Sequence, residues 1–340
     1  MTISMLGATG SGKSSYLAGM YNDIVRGTYR YTFKADHNVR LRINGEINAL
    51  RSGKPLEPTE EASPKAHEYT LGALRDGKFT VLVEIDLTDF RGGAILYPGA
   101  THTDSAQLYE RLPDSDSIFV VLDSTHFIEP VTRARYEEIA RATDANDIAT
   151  LIGGALVDRQ RADRPLPSVA VLLAKSDVLY EQHASGYRPR RDPDEVRHNV
   201  WELLPAAFDL GWKSGFFQVS IGEFTRQDGK NRLTAIEPNG VAGPIFFAVA
   251  CFLADHQQVL HGERQMIEAE HKKAVERRIS LGRWPAFIRW FLQEKIAKVH
   301  AELARMDAQL QAYNERLDAL AEELSVLWQW LRPKLWSCLR

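Results

Sequence analysis

The chain has 340 residues, of which 44% are hydrophobic and 26% are charged, as expected for a large folded protein. Its net charge of −3 gives no global sign of nucleic-acid binding, so we expect no nucleic-acid partner. Two cysteines exclude a disulfide framework and favour a reducing compartment, for which the cytoplasm is the default.

The first pattern in the chain is a short apolar segment, TISML, followed by GATGSGKSS at residues 7–15. This stretch fits G-x-x-x-x-G-K-[ST], in which glycines turn backbone N–H groups inward to form an anion nest. Lys13 would reach the β- and γ-phosphates of a nucleotide, and the Ser14 hydroxyl would bind Mg²⁺. The sequence therefore predicts a strand, a phosphate-binding loop and a helix that begins in SSYLAGMYNDIV. The residues expected to hold the phosphates are Gly7, Thr9, Gly10, Ser11, Gly12, Lys13, Ser14 and Ser15.

The next motif follows an alternating apolar segment, FTVLVEI, which predicts a strand. That strand runs into Asp89-Phe90-Arg91-Gly92, a D-x-x-G sequence at a carboxyl end, where open α/β sheets bind ligands. We expect Asp89 to hold Mg²⁺ through a water and the Gly92 N–H to face a γ-phosphate. Asp86 lies three residues earlier and is a rival for the metal, but the D-x-x-G spacing favours Asp89.

Two further apolar segments, SIFVVLD and SVAVLLAKSD, predict strands that are buried on both faces. A carboxylate at Asp177 can accept hydrogen bonds from the N1–H and exocyclic amine of guanine, a donor pair that adenine lacks. The aliphatic stem of Lys175 would lie along the base. Ser220, at the end of a short predicted strand in FFQVSIGEF, would offer backbone groups to the base edge. The predicted ligand is therefore GTP or GDP.

Together these motifs resemble a P-loop GTPase of the translation-factor and Ras-like class over about residues 1–255. The resemblance implies an α/β domain with a mostly parallel sheet, helices on both faces and bound Mg²⁺. The matched segments are Gly7–Ser14 for the first motif, Asp89–Gly92 for the third, Ala174–Asp177 for the fourth and Ser220–Gly222 for the fifth. The overall pattern is also similar to GTPase-like domains of bacterial multi-component conflict or phage-defence systems.

The chain departs from the family pattern at several positions. Ala174 stands where the family has Asn or Thr, so a side chain that braces the phosphate loop is missing. Thr59 is the candidate for the second motif, whose Thr binds Mg²⁺ and the γ-phosphate. Gly93 replaces the glutamine that orients the attacking water in many relatives, with His102 as a substitute to consider. Arg91 either stabilises transition-state charge or is an exposed switch residue that meets a partner. The catalytic candidates are Lys13, Thr59 and Arg91, and we expect slow intrinsic hydrolysis.

The rest of the first domain has fewer signals. The long gap from Ser14 to Thr59 leaves room for an extra strand (YRYTFKA) and a helix (VRLRINGEINALR), and HEYTLGAL after Thr59 predicts a strand. Residues 124–166 predict two helices, with Gly153-Gly154 weakening the second. Residues 180–200 are polar and predict a surface loop with a basic cluster around 188–191, before NVWELLPAAFDLG.

A second region, 256–340, predicts a helical coiled-coil arm with a Trp-rich tail. From Ile296 to Leu331 the apolar residues recur in alternating steps of three and four, over about five heptads, which is coiled-coil spacing. The partner helix is either 258–279, folded back in an antiparallel hairpin, or a second copy of the chain. Basic and aromatic residues in 277–299 and the tail are typical of a protein interface, of packing within the chain or of peripheral membrane contact.

These patterns predict a guanine-nucleotide switch or slow GTPase that transmits its state to a protein partner through the switch segments and the arm. One alternative is a small-substrate phosphotransferase, for which Asp86 and the basic cluster at 188–191 are the hints. Another is a coiled-coil scaffold that uses the nucleotide only for folding.

Overall fold

The computed structural model describes residues 1–26, 29–54, 65–75, 77–90, 102–183, 186–227, 230–283, 285 and 292–335. The chain divides into two compact units, Met1–Phe252 with Trp330–Arg340, and Leu253–Gln329. The contact boundary thus falls three residues before the predicted end of the first domain, and the chain from Trp330 groups with the first unit rather than with the arm.

The first unit alternates strands and helices. Its strands are β1 (Thr2–Leu6), β2 (Tyr31–Lys34), β3 (Lys65–Arg75), β4 (Lys78–Asp89), β5 (Ser117–Asp123), β6 (Ser168–Ala174), β7 (Tyr180–His183), β8 (Gly186–Pro189), β9 (Ser214–Val219), β10 (Glu223–Gln227) and β11 (Lys230–Ala235). The helices of the chain are α1 (Lys13–Val25), α2 (His37–Arg51), α3 (His102–Arg111), α4 (Arg133–Ala142), α5 (Ala145–Arg161), α6 (Pro193–Leu203), α7 (Pro205–Phe208), α8 (Gly243–Gly282) and α9 (Gln293–Leu335).

The main sheet has seven strands in the order β2-β3-β4-β1-β5-β6-β9. The neighbouring strands β4, β1, β5, β6 and β9 run parallel. At one edge β3 pairs antiparallel with β4, and β2 pairs antiparallel with β3. The prediction of an α/β fold with a mostly parallel sheet is therefore confirmed. β5 and β6 are apolar along almost their whole length because both faces of the sheet are covered.

Alternate residues of β5 show that helices pack on both faces of the sheet. Ile118 and Val120 join a core that includes Ile152 of α5. Phe119 points to the other face, where its ring lies 6.3 Å from that of Tyr16 on α1. The parallel strands thereby lie between two helical layers, and the described loops after β1, β5 and β6 start at their carboxyl ends.

Residues 180–200, predicted as a surface loop, contain regular secondary structure instead. β7 and β8 form an antiparallel hairpin there, and α6 begins at Pro193. The side chain of Asp192 accepts a hydrogen bond of 3.0 Å from the backbone N–H of Asp194 and so caps α6. An Asp before a Pro at the first helical position is a helix-start signal, which the polar composition of this segment concealed. Helix α5 also runs unbroken through Gly153-Gly154.

The second unit is a pair of antiparallel helices formed by the later part of α8 and most of α9. The Tyr313 hydroxyl donates to Glu263 Oε2 at 2.9 Å, and Arg277 Nη2 donates to Glu302 Oε1 at 3.0 Å. Tyr313 comes later on α9 than Glu302, whereas its partner Glu263 comes earlier on α8 than Arg277. The two helices therefore run antiparallel. A long C-terminal helical region is therefore confirmed, and its two helices pair within one chain.

The predicted heptad positions of α9 are covered along the whole helix. Every one of them is buried or half-buried, while most residues between them are exposed. They are Ile296, Val299, Leu303, Met306, Leu310, Tyr313, Leu317, Leu320, Leu324, Leu327 and Leu331. The alternating three- and four-residue spacing thus identifies the face of α9 that is covered.

One aromatic residue of the C-terminal region packs inside the first unit. The Trp330 ring meets Tyr29 and Phe246 edge to face, with centroid separations of 5.5 and 4.8 Å. Internal packing therefore accounts for this tryptophan. Of the helices that the structure describes, none is both long and apolar enough to be a candidate membrane span.

Candidate functional site

The loop between β1 and α1 has a backbone that requires glycine at several positions. Gly10 and Gly12 have φ values of 81° and 105°, in the left-handed region that side chains disfavour. At Gly7 an added Cβ would lie 2.4 Å from the carbonyl oxygen of Val121 on β5, closer than any real contact. These glycines let the chain turn tightly over the carboxyl end of the sheet, as an anion-binding loop needs.

Lys13 is buried beneath this loop and folds back on it. Its Nζ donates to the carbonyl oxygens of Gly7 and Ala8 at 2.7 and 3.2 Å, and the residue is only 8% exposed. Burial lowers the pKa of Lys13, while the negative charges of Asp89 and Asp144 oppose that shift. A lysine held by carbonyl oxygens can exchange them for phosphate oxygens, which are better acceptors because they are charged.

The loop also contains an unsatisfied donor. Ser11 is 4% exposed, and its hydroxyl has no hydrogen-bond partner within the described part of the chain. Buried hydroxyl groups are nearly always bonded, so an orphan one inside a nest of backbone N–H groups fits an acceptor that enters from outside. Ser11 therefore supports an anionic ligand at this loop.

Pairing between neighbouring parallel strands brings an acid to the start of α1. Asp89 is opposite Met5 in the register of β4 and β1, and it is 1% exposed. The Ser14 hydroxyl lies 3.5 Å from Asp89 Oδ2. Mg²⁺ is commonly held by one or two protein oxygens together with substrate phosphates, so this pair fits a Mg²⁺ site completed by a nucleotide. No cluster of three or more His, Cys, Asp or Glu that could hold a metal occurs among the residues described.

Asp86, the rival for the metal, lies towards the opposite end of this strand pair. It is opposite Thr2, and its carboxylate forms an ion pair of 2.7 Å with Arg111 of α3. The structure therefore brings Asp89, rather than Asp86, to the phosphate loop.

A cavity of ≈ 320 Å³ extends from the phosphate loop to the ends of β6 and β9. Its walls combine loop residues with the segment that was predicted to read the base. The lining residues are Gly12, Ser15, Tyr16, Leu50, Thr125, Ala174, Lys175, Asp177, Val178, Val219, Ser220, Ile221 and Phe224. The cavity wall is mostly apolar, with polar groups at a few positions, which is typical of a small-molecule site.

Lys175 connects the two ends of this cavity. Its backbone is left-handed, with a φ of 57°, and its Nζ donates to the carbonyl oxygen of Gly10 at 3.0 Å. The same Nζ forms an ion pair with Asp123, which also accepts from the Thr125 N–H at 2.9 Å. The Lys175 side chain is thus held across the loop by these two contacts.

Asp177 follows Lys175 in a short 3₁₀ turn at the wall of the cavity. Although its side chain is partly exposed, partial burial raises the pKa of Asp177, and the neighbouring Lys175 opposes the shift. Ala174, the departure from the family pattern, packs directly under the loop: a Cβ placed on Gly12 would lie 3.2 Å from the Ala174 methyl carbon. Little space for a side chain is therefore left between Gly12 and Ala174.

Several residues that line or adjoin the cavity were missed by sequence reasoning. Leu50, Thr125 and Phe224 line the base end of the cavity, and Asp123 lies near the loop through its ion pair with Lys175. Phe224 is 38% exposed and stands close after the fifth motif, so its aromatic type was a usable signal. Nothing in the local sequence distinguishes the other three.

Other predicted residues are not brought to the site by this structure. Thr59, Arg91, Gly92 and Gly93 lie outside the described residues. His102 is the first residue of α3, and its side chain also lies outside the description. In the basic cluster, the Arg191 side chain donates to the carbonyl oxygens of residues 127 and 129 and pairs with Glu195, so it holds the local fold.

Comparison with known proteins leaves this geometry without a family assignment. No protein-family model matches the chain, and no curated protein matches it. The function is therefore inferred from the residues and their arrangement alone.

Proposed function

We propose that the chain is a guanine-nucleotide-binding switch or slow GTPase of the P-loop class, which couples its nucleotide state to a protein partner. One observation carries this proposal. A single cavity is lined both by Gly12 and Ser15 of the phosphate loop and by Lys175 and Asp177 of the base-reading segment. A nucleotide is a ligand with a phosphate end and a base end, which makes it the ligand class that this combination fits.

The phosphate end supports a triphosphate or diphosphate ligand. Lys13 and the Ser11 hydroxyl supply donors, and the left-handed glycines turn the loop backbone towards the ligand. Ser14 and Asp89 would hold Mg²⁺, which neutralises charge that develops on the β- and γ-phosphates. Loss of the γ-phosphate would release the segments around Thr59 and Asp89, and that release is the proposed switch.

The base end supports guanine over adenine. The Asp177 carboxylate can accept both guanine donors only when it is ionised, and Ser220 and Ile221 border the same wall. The two rings of a purine need flat apolar contact, which the Lys175 stem and Phe224 are positioned to give.

The partner is proposed to be a protein that meets the switch segments, the helical arm or both. A second copy of the chain, joined through the helices, and a membrane surface are the other occupants considered for the arm. A reducing cytoplasm suits this role, and Cys251 is buried. A bacterial defence setting rests on the sequence resemblance only.

The small-substrate phosphotransferase gains no support from the contacts of its two hints. Asp86 pairs with Arg111, and Arg191 pairs with Glu195, so both are engaged in contacts between structural elements. The nucleotide-stabilised scaffold differs from the proposal in turnover, because it predicts binding with no hydrolysis.

Calorimetric titration of the full chain with GTP, GDP and ATP in the presence of Mg²⁺ tests the binding proposal. We expect GTP and GDP to bind far more tightly than ATP, because only guanine pairs with both Asp177 oxygens. Equal affinities for ATP and GTP would contradict the proposal.

Single-turnover hydrolysis tests the enzymatic part. We expect a rate near the low end of about 10⁻⁴–10⁻² s⁻¹, the range for relatives without an arginine supplied by a partner. Release of free phosphate with no phosphorylated small molecule would distinguish a GTPase from a phosphotransferase. A rate above about 1 s⁻¹ would show that the isolated chain already carries a complete water-activating group.

A further inference from the structure

Asp123 is an acid beside the phosphate loop, which is an unfavourable place for a negative charge if the loop binds anions. It is the last residue of β5, and its side chain is only 15% exposed. It shares the walls of a cavity of ≈ 50 Å³ with Ala8–Ser11 of the loop. Like charges repel, so an acid at this position weakens the attraction of the loop for phosphate. Its presence there requires a compensating role.

The two carboxylate oxygens of Asp123 have separate partners. Oδ1 accepts hydrogen bonds from the backbone N–H and the hydroxyl group of Thr125, at 2.9 and 2.8 Å. Oδ2 forms an ion pair with Lys175 Nζ. Because Thr125 holds one oxygen, the other oxygen is kept towards Lys175.

Lys175 in turn joins two segments that are far apart in the sequence. Its Nζ donates to the carbonyl oxygen of Gly10 in the phosphate loop at 3.0 Å. Its backbone leads into the short 3₁₀ turn, Ser176–Leu179, that carries Asp177. One side chain therefore ties the base-reading turn to the phosphate loop, and Asp123 holds that side chain in place.

The register of the sheet explains why this acid comes from β5. Asp123 is opposite Ala174, the last residue of β6, in the parallel pairing of the two strands. The side chain of Ala174 is a methyl group, so it can make no polar link to the loop. The neighbouring strand thus supplies, at the same level of the sheet, a polar group that β6 lacks.

We propose that Asp123 is a positioning residue for the bound guanine nucleotide: it holds Lys175 across the phosphate loop and so keeps the base end and the phosphate end together. This inference rests on the proposed function, since it concerns how long GDP or GTP stays in that same site. Asp123 acts through Lys175 rather than on the nucleotide itself.

The expected effect of this link is on nucleotide release. A ligand that is held at two ends leaves only after both ends have let go. While the two ends stay together, a ligand that has lost one contact remains close to it and rebinds, as in any two-point attachment. Without Asp123, the Lys175 side chain loses one of its two contacts, and the two ends separate more easily. Loss of Asp123 should therefore raise the dissociation rate and leave the association rate nearly unchanged.

Asp123→Asn in the full chain tests the inference. Asparagine keeps the shape of the side chain, and its amide oxygen can still accept from Thr125, but the charge that holds Lys175 is lost. The probe is a fluorescent GDP analogue, displaced by excess GDP in a stopped-flow experiment. We expect its dissociation rate to rise about 5-fold, the upper range for a partly exposed ion pair. If the Asn variant melts at a clearly lower temperature, Asp123→Ser replaces it, since serine also accepts from a backbone N–H and lacks the charge.

A double-mutant cycle distinguishes positioning from a general effect on the fold. Lys175→Met keeps most of the aliphatic stem but removes the charge that Asp123 holds, so Asp123→Asn should add little to the dissociation rate in that background. Asp114→Asn is the matched control, because Asp114 forms an ion pair with Arg164 and lines neither cavity. It should leave the dissociation rate unaltered.

Two results would overturn the inference while leaving the proposed function intact. One is unchanged or slower release of the GDP analogue from Asp123→Asn, which is the result expected if the acid only repels phosphate. The other is an equal increase in the dissociation rate with and without the Lys175 charge, which would indicate a structural role. Failure of the unaltered chain to bind GDP or GTP would instead overturn the proposed function, and this inference with it.

Discussion

The two ends of the ≈ 320 Å³ cavity are built from different parts of the chain. At the phosphate end, the lining residues Gly12 and Ser15 belong to one loop, Gly7–Ser15. At the base end, they come from side chains on separate segments: Leu50 on α2, Thr125 after β5, Asp177 after β6 and Phe224 on β10. The first end is local in sequence, and the second exists only once the sheet has formed.

This difference explains why a short motif predicts one end and only part of the other. Backbone N–H groups in a tight loop depend on where glycines stand, and that order can be read directly from the sequence. Side chains from distant segments meet because neighbouring parallel strands end at the same edge. A local sequence pattern therefore does not predict which distant segments will contribute these side chains.

The largest effect should come from Lys13→Ala, which removes the charged donor of the phosphate end. Lys13 holds two carbonyl oxygens of the loop and would exchange them for the β- and γ-phosphates. We expect affinities for GTP and GDP to fall by roughly 10²-fold or more, since each hydrogen bond to a charged group contributes about 1.5–3 kcal/mol. Calorimetric titration measures the loss.

Lys34→Ala is the control for this change, because Lys34 is an exposed lysine at the end of β2. It should leave both affinities unaltered. Retained GTP binding in the Lys13 variant would show that the loop does not hold phosphate, and the contrast between the two ends would disappear.

The next effect concerns the base end. Asp177→Asn replaces an acceptor by an amide that can also donate, so it should weaken GTP by about 30-fold through loss of a charged acceptor. Xanthine presents a carbonyl where guanine has its amine, and XTP should therefore bind the variant better than GTP does. Titration with both nucleotides measures this exchange of preference.

Asp158→Asn, at an exposed position on α5, serves as the comparison for Asp177→Asn. It should change neither affinity. If the Asp177 variant kept its preference for GTP over XTP, the guanine assignment would be wrong, even with the phosphate end intact.

Sequence reasoning predicted more of the fold than of the site. The apolar segments of β1, β5 and β6 and the seam of α9 follow simple periodicity, because burial of one or both faces determines residue type. The sequence did not decide whether the apolar face of α9 packs on α8 or on a second copy of the chain. A heptad repeat indicates that a helix face is covered, but it does not identify the segment that covers it. Leu50, which lines the cavity, escaped notice because a single leucine in a helix has no distinguishing spacing.

Phe224→Ala tests the part of the base end that the motifs did not reveal. Phe224 lines the cavity and is 38% exposed, so it can stack on one face of a purine. We expect GTP and GDP to weaken equally, by about 10-fold, because base–aromatic stacking is worth roughly 1–3 kcal/mol. Equal losses identify a contact to the base, whereas a γ-phosphate contact would affect GTP alone.

Tyr109→Ala provides the control, because Tyr109 is an aromatic residue on α3 that is 60% exposed and does not line this cavity. It should leave the dissociation constants as they are. Wild-type affinity in the Phe224 variant would show that β10 does not contribute to the base end.

The last prediction concerns how the affinity for guanine nucleotides depends on pH, an effect that is smallest near neutral pH. Burial raises the pKa of Asp177, and only the ionised carboxylate accepts both guanine donors. The affinity for GDP should therefore reach its full value above that raised pKa and fall as the pH drops through it. The fall should begin at a higher pH than for an ordinary Asp, whose pKa is near 3.9.

The nucleotide phosphates and Lys13 also respond to pH, so the titration is repeated with Asp177→Asn, whose amide does not ionise in this range. The difference between the two curves isolates Asp177: we expect the unaltered chain to lose its advantage over the variant for GDP on acidification. Parallel curves would show that the carboxylate does not bind the base, and the two ends of the cavity would then both depend on phosphate alone.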